Sequence, residues 1–479
     1  MREGYIPKEK RKKVLLLSDD LRLHSGVATM SREIVYQTCH RLNWIQLGAA
    51  VQHPDKQIID VSQDLSKNTG VSDASALVYP VSGYGDANIL RWLIRREKPD
   101  ALMFFTDPRY WSWLFAIEGE LRKKLPVVYL NIWDDLPAPL YNRPFYESCD
   151  ALFGISKQTV NINKLVLGDK AKDKVIKYVP HGINPELFAP IDKNDKAEAK
   201  KLLEFKKELL KGKDYDFILF YNSRNIRRKS PSDLIAGYRL FCDTIGKEKA
   251  KKCLLLMHTD PIDQHGTDLF AIRDLLSDAD YVNVDFTEAK FPPPQMKYLY
   301  NLIDVTCLPS SNEGWGLSLT ESLMCSKMII GNVTGGIQDQ MRFVDESGKW
   351  IDFDKNFCSN HFGTYKTCGE WAIPIYPSNM SLIGSLPTPY IWDDRADFRD
   401  IAKAIQQVYE MSPAERDRRG ALGREWVTSK ESMMSGPAMG QNVIEGIEET
   451  LAVWKPKKNH EFIRVQPAPQ KQLVHKLIY

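Results

Sequence analysis

No uncharged apolar run in the 479-residue chain approaches the roughly 20 residues that a membrane-spanning helix needs. The opening stretch, MREGYIPKEKRKK, is charged and carries no apolar h-region of a secretory signal. The chain is therefore expected to be soluble, though still able to touch a membrane surface. Paired cysteine spacing is missing as well. The eight cysteines, at 39, 149, 242, 253, 307, 325, 358 and 368, include no CxxC, and several sit in apolar runs where they read as small core residues. That usage fits a reduced, cytosolic compartment, so a cytoplasmic location is expected. Charge of one sign is also missing. Against 65 Lys and Arg stand 62 Asp and Glu, a formal +3, which neither demands nor excludes a polyanionic partner.

What is present is length and periodicity. A chain of 479 residues is too long for one ordinary core, so two domains are expected. In the first half, short apolar runs (KVLLLS, WIQLGAA, ALMFF, VVYLNI, ALFGIS, VIKYVP) alternate with helix-like segments such as GVATMSREIVYQTC and YWSWLFAIEGELRKK. Strands apolar on both faces and separated by helices imply a parallel sheet covered on each side. After the charged stretch KNDKAEAKKLLEFKKELLK a second series follows, with FILFYNSR, CLLLMHTD, YVNVDF, VTCLPS and KMIIGN as its strands. The expected fold class is α/β, with two tandem doubly wound, Rossmann-like domains. Residues 1–187 form the first and 188–432 the second, and 433–479 hold a helix (NVIEGIEETLAVW) and a Pro/Lys/Gln-rich tail.

Ligands of such domains bind outside the carboxyl ends of the strands, and two facing domains make a cleft. The candidate cleft residues are then SDDLRLHSGVAT, FFTDPRYW, NIWDDLP and GISKQT in the first domain, with NSRNIRRKS, MHTDP and PSSNEGWGLS in the second. The last of these sets Glu313 and Glu321 seven residues apart across GWGLSLT. Taken alone, Glu321 reads equally as an acid favoured by a helix N-terminus, and Arg224, Arg227, Arg228 and Lys229 as a solvated charge run.

YVPHGINPELF, NSRNIRRKSPSDLIAGY and LPSSNEGWGLSLTESLMCSKMIIGNVTGG, in that order, resemble the retaining glycosyltransferases of the GT-B fold, family 4-like and of the paired-glutamate type. The resemblance covers most of Gly26 to Gly336. It implies two Rossmann-like domains facing across a cleft and transfer of a sugar from a nucleotide-sugar donor, a UDP-sugar by preference. Arg224 and Lys229 would supply fixed cations for the departing diphosphate. The turn Gly314, Trp315, Gly316 and Leu317 would open a helix whose amides and positive end face the phosphates. Glu321 would accept from the ribose hydroxyls, Glu313 from the hydroxyls of the transferred sugar, and Gly26 would bring the first-domain loop near the diphosphate.

The catalytic set expected is thus Arg224, Lys229, Glu313 and Asp134, and the donor-binding set Gly26, Arg224, Lys229, Gly314, Trp315, Gly316, Leu317 and Glu321. His181 and Gly182 match the junction motif, where the His shapes a turn rather than performing chemistry. Where many relatives carry His-Asp after a first-domain strand, this chain has Trp133-Asp134, which leaves Asp134 and Asp107 to orient the acceptor. The resemblance implies front-face attack with the leaving phosphate taking the acceptor's proton, so no general base is named. No metal or other cofactor is expected either, because no D-x-D stands where a cation would be held.

Two segments depart from the pattern. Residues 349–392 are longer and more aromatic than a short link. Their Cys358, His361 and Cys368 lack a fourth ligand for a metal, and a packed flap or a self-association surface is expected instead. DPRYWSWLF and WDDLPAPLYNRPFYESCDALFGISKQT resemble glycosyltransferase-like proteins of bacteriophage genomes, which suggests a hydroxymethylated DNA base as one acceptor. The alternatives are a glycan, lipid or protein hydroxyl, or a non-catalytic nucleotide-sugar or nucleic-acid binder. Aromatics at RYWSW and Trp133 suit a base or a sugar face equally, and basic clusters at KEKRKK and NIRRKS permit phosphate contacts.

Overall fold

A computed structural model describes residues 3–51, 57–192, 194–277, 280–287 and 290–458; most of the expected Pro/Lys/Gln-rich tail, residues 459–479, lies outside them. The first half builds an eight-stranded sheet from β1 (Lys12–Asp19), β2 (Leu42–Ala49), β3 (Ile59–Asp60), β4 (Ala76–Pro80), β5 (Ala101–Phe105), β6 (Val127–Asn131), β7 (Ala151–Gly154) and β8 (Val175–Tyr178). Its order is β3-β4-β2-β1-β5-β6-β7-β8. All neighbours run parallel except β3, which lies antiparallel to β4. The apolar runs that predicted these strands are explained by burial on both faces. Along β1, Val14 and Leu16 face one core while Leu15 and Leu17 face another, and all four are fully buried.

The second half builds a six-stranded, all-parallel sheet from β9 (Phe217–Asn222), β10 (Cys253–His258), β11 (Val284–Phe286), β12 (Val305–Leu308), β13 (Met328–Asn332) and β14 (Ala372–Ile375). Its order is β11-β10-β9-β12-β13-β14, so it is doubly wound like the first. The helix Gly436–Val453 follows. It buries Val443, Ile444 and Ile447 and pairs with the first domain through Lys177–Glu445, Lys177–Glu449 and Arg41–Glu448.

Two expectations need correction. YWSWLFAIEGELRKK is no single helix but a 3-10 turn, Pro108–Trp111, and two short helices, Ser112–Ala116 and Glu118–Leu121. The Asp107 side chain caps the first piece at the Arg109 amide, and the backbone at Ile117 leaves helical values (φ −116°, ψ 13°). The segment 349–392 is also more than a flap. It supplies β14 to the sheet, then β15 (Asn379–Ile383), which pairs antiparallel with β16 (Ile391–Arg395) in a separate hairpin.

Candidate active site

Between the carboxyl ends of the two sheets lies a cleft of about 2310 Å³. The first domain lines it with the turn after β1 (His24–Val27), Asp107 and Arg109 after β5, and Trp133 and Asp134 after β6. From the second come Arg224, Arg228 and Lys229 after β9, His258–Pro261 after β10, and Asn312–Ser318 after β12. Parallel strands deliver their following loops to one edge, so residues far apart in sequence meet there.

The floor holds a buried ion pair. Glu313 is 6 % exposed and Lys229 8 %. The Lys229 ammonium donates to the Glu313 carboxylate, and the Ser310 hydroxyl donates to the same oxygen at 3.1 Å. Arg228 stands 3.8 Å from Glu313 and 3.9 Å from Asp134, and donates to the Asn312 carbonyl at 2.6 Å. Burial alone would raise the Glu313 pKa, but Lys229 and Arg228 outweigh it and hold the carboxyl below its usual value. Burial pushes Lys229 down to about 8, with Glu313 opposing, so at neutral pH both partners are ionised. The Asp134 carboxyl is raised by burial, against the pull of Arg228.

The two glycines after β13 shape this floor sterically. Gly335 sits at φ +48°, and a Cβ there would lie 2.0 Å from the Glu313 carbonyl oxygen. Any larger residue would push the acid-bearing loop out of place. A Cβ at Gly314 would come within 3.0 Å of the Ile132 carbonyl oxygen, so the same loop presses against the first domain.

Two helix N-termini converge above the ion pair. The Leu317–Met324 helix starts from Gly316 at φ 86°, and the Gly26–Thr38 helix starts from Ser25, whose hydroxyl accepts from the Ala28 amide at 3.0 Å. A Cβ on Gly26 would lie 3.8 Å from Leu317 Cδ1, an ordinary contact, so the two helix starts face each other closely across the cleft. Free amides and positive dipole ends from both sides make this a place for an anion. Trp315 is 2 % exposed and its indole N–H donates to Thr320, which leaves mainly its backbone for a ligand.

Arg224 stands at the rim. It is largely exposed and paired with Asp263, at 2.7 and 3.2 Å, so its charge is already shared. Arg228, which sequence alone left within a charge run, is the cation set between Glu313 and Asp134. Glu321 lies in the second turn of its helix rather than the first. It accepts from the Tyr300 hydroxyl at 2.6 Å, which in turn accepts from Asn222 at 2.9 Å. Burial raises Glu321 to about 7, with the Tyr300 bond opposing. Beyond it His258 stacks on Phe291, with ring centroids 5.5 Å apart. The sequence marked MHTDP as a strand end but gave no signal for Phe291 or Tyr300.

On the first-domain side Asp107 is committed to Arg109, whose Nε donates to it at 2.8 Å and whose guanidinium lies 5.4 Å above the Trp133 ring. One face of Trp133 is thereby covered, and its N–H donates to the Asp135 carbonyl. His181 lines the cleft but is buried between Phe105 and Trp315, and burial takes its pKa down to about 3. Gly182 packs against the 433–453 segment, where a Cβ would meet the Ser435 carbonyl at 2.4 Å. Of RYWSW, Trp111 is fully buried and Tyr110 stacks on Tyr84.

KEKRKK lies at the opposite end of β1 from the cleft. Arg11 binds Asp73, Lys12 pairs with Asp100 and Lys13 with Glu97. His361 is ringed by Phe343, Phe357, Tyr365 and Tyr376. Among the described residues no group of three or more His, Cys, Asp or Glu is placed to hold a metal ion.

Two parallel-sheet domains facing across such a cleft define the GT-B fold. Residues 203–353 match the family model "Glycosyl transferases group 1", so the chain carries a glycosyltransferase group 1 domain there. Solved structures align along nearly the whole chain. HepE of Anabaena, in complex with UDP and glucose, has a TM-score of 0.60 at 12% identity, covering 92% of this chain and 100% of that one. Sucrose-phosphate synthase of Thermosynechococcus elongatus gives 0.63 at 16%, with 92% and 100% covered. The E. coli structure described as trehalose-6-phosphate bound with UDP-2-fluoro glucose gives 0.57 at 11%, with 91% and 99% covered. None of the curated proteins compared matches the chain. No described helix is long and apolar enough to cross a membrane.

Proposed function

We propose that the protein is a retaining glycosyltransferase that moves a sugar from a UDP-sugar to a hydroxyl acceptor. The observation that carries this reading is the buried Lys229–Glu313 pair, with Arg228 beside it, beneath two converging helix N-termini. A leaving diphosphate gains negative charge as the sugar departs, and fixed cations and amide dipoles stabilise that gain with little reorganisation. In the assigned roles Glu321 binds the ribose hydroxyls and Glu313 the sugar hydroxyls, while Lys229 and Arg228 face the diphosphate and Arg224, paired with Asp263, stays at the rim. The acceptor oxygen bonds to the anomeric carbon on the face the diphosphate leaves, and its proton passes to the departing phosphate oxygen. No protein base and no metal is assigned to this step.

Asp134, 3.9 Å from Arg228, is placed to orient the acceptor. A hydroxymethylated DNA base is the most specific acceptor that we propose, on the strength of the first-domain sequence stretches alone. Such a base must leave its stack to reach the cleft. The eight cysteines are all free, which supports a cytoplasmic setting. The test is a nucleotide-sugar panel scored by thermal shift and by release of UDP. Stabilisation and slow hydrolysis of one UDP-sugar are expected. Stabilisation without any turnover, with or without acceptors, would favour a non-catalytic binder, and neither signal would end the glycosyltransferase reading.

A further inference from the structure

The β15–β16 hairpin is rooted in the second domain and held by the first. Its root is a buried carboxylate, Asp394, which accepts from Thr334 at 2.9 Å, Ser359 at 3.0 Å and Asn360 at 2.8 Å. The Asp394 amide donates to the Ser311 carbonyl at 3.1 Å, so the root adjoins the loop that carries Glu313. The hairpin then reaches across. The Trp392 amide donates to the Leu136 carbonyl at 2.8 Å, the Tyr141 hydroxyl to the Tyr390 carbonyl at 3.0 Å, and Arg109 to the Thr388 hydroxyl at 2.7 Å and to the Pro387 carbonyl. Ile383, Ser385, Thr388 and Ile391 line the cleft beside Arg109, Trp133 and Asp134.

From this bridging geometry we propose that the hairpin is the acceptor-selecting wall of the cleft, and that it admits a small hydroxylated ring compound, free or as the terminal unit of a chain, presented end-on. A chain or duplex running through would have to break these links to the first domain. A ring entering end-on would instead lie against Ile383 and Ile391, with its hydroxyl toward Asp134. This inference rests on the glycosyltransferase reading and narrows its acceptor: a hydroxymethylated base fits only at a strand end or flipped out of its strand, not within a stacked duplex.

The test uses the full chain with Ile383→Arg, which places a long charged side chain on the wall, and Thr388→Val, which removes one bond to Arg109. Donor affinity is read by calorimetry with UDP-glucose. Transfer is read on a panel of free hexoses, hexose phosphates, hydroxymethylated single-stranded DNA and the same DNA as duplex. Donor affinity should stay at the wild-type value. The acceptor KM should rise about tenfold or more for Ile383→Arg, as for loss of one good contact, and Thr388→Val should shift the preference toward larger acceptors. If the wild type only hydrolyses the donor, both variants should change that hydrolysis rate, because water then enters past the same wall. Unchanged acceptor KM, preference and hydrolysis in both variants would overturn the proposal, as would wild-type transfer to duplex equal to transfer to the small or terminal acceptors. Absence of donor binding by the wild type would instead overturn the glycosyltransferase reading beneath it.

Discussion

The two walls of the cleft are built by different means. On the second-domain side the charged groups come from two loops that run straight out of β9 and β12, and Lys229, Glu313 and Glu321 lie within one chain segment of about a hundred residues. On the first-domain side the wall is composite. Arg109 follows β5 while Trp133 and Asp134 follow β6, and the hairpin that completes them comes from far along the chain, 279 residues on in the Arg109–Thr388 bond. The difference teaches where chemistry and selectivity reside. In the proposed reading one wall holds a charge arrangement suited to a diphosphate, and the other selects the hydroxyl that arrives.

Substitutions at the two walls should therefore split kinetics differently. The largest loss is expected for Lys229→Ala or Glu313→Ala. Each removes half of a buried pair and should lower turnover by about 10²–10³, as for one lost transition-state donor. Circular dichroism beside the transfer assay separates chemistry from misfolding. Next comes Glu321→Ala, which should weaken UDP-sugar binding about 10–100-fold, the worth of a hydrogen bond to a charged group. Turnover at saturating donor should hold.

A smaller effect is expected in pH. Ribose hydroxyls donating to Glu321 favour its carboxylate, so binding releases a proton, and donor affinity should rise toward pH 7 and level off above it. Lys229, lowered to about 8, loses its charge above that pH. The donor kcat/KM should then be bell-shaped between these limits, and Glu321→Gln should flatten the acid limb. Asp134→Asn should leave donor affinity unchanged and cost about tenfold in acceptor kcat/KM, as for one hydrogen bond to a charged group. The smallest effect concerns metal: EDTA should leave transfer unchanged, and loss of activity restored by Mg²⁺ or Mn²⁺ would contradict the metal-free assignment.

The same contrast explains what the sequence made legible. The parallel strands are a local pattern from which the two doubly wound domains follow, and the paired acids carry the resemblance that implied the GT-B architecture. Arg228 was hidden because its neighbours on both sides are also cationic, and only the fold shows which of them turns inward. β14 was missed because AIPI carries Pro374, tolerated there because the strand lies at the sheet edge. The hairpin was hidden for a different reason. Its meaning lies in contacts with Leu136, Tyr141 and Arg109, which no local pattern announces. The roles of Asp107 and Trp133 were likewise blurred, since neither residue shows in sequence that Arg109 already occupies it.

The division of labour between the two glutamates is the central claim, and calorimetric titration of a UDP-sugar combined with turnover at saturating donor, run on Glu313→Ala and Glu321→Ala side by side, tests it most directly. The account predicts that Glu321→Ala loses affinity and keeps turnover, whereas Glu313→Ala keeps affinity within about threefold, less than the worth of one hydrogen bond, and loses turnover. Wild-type values in both variants, or the two effects exchanged, would contradict it.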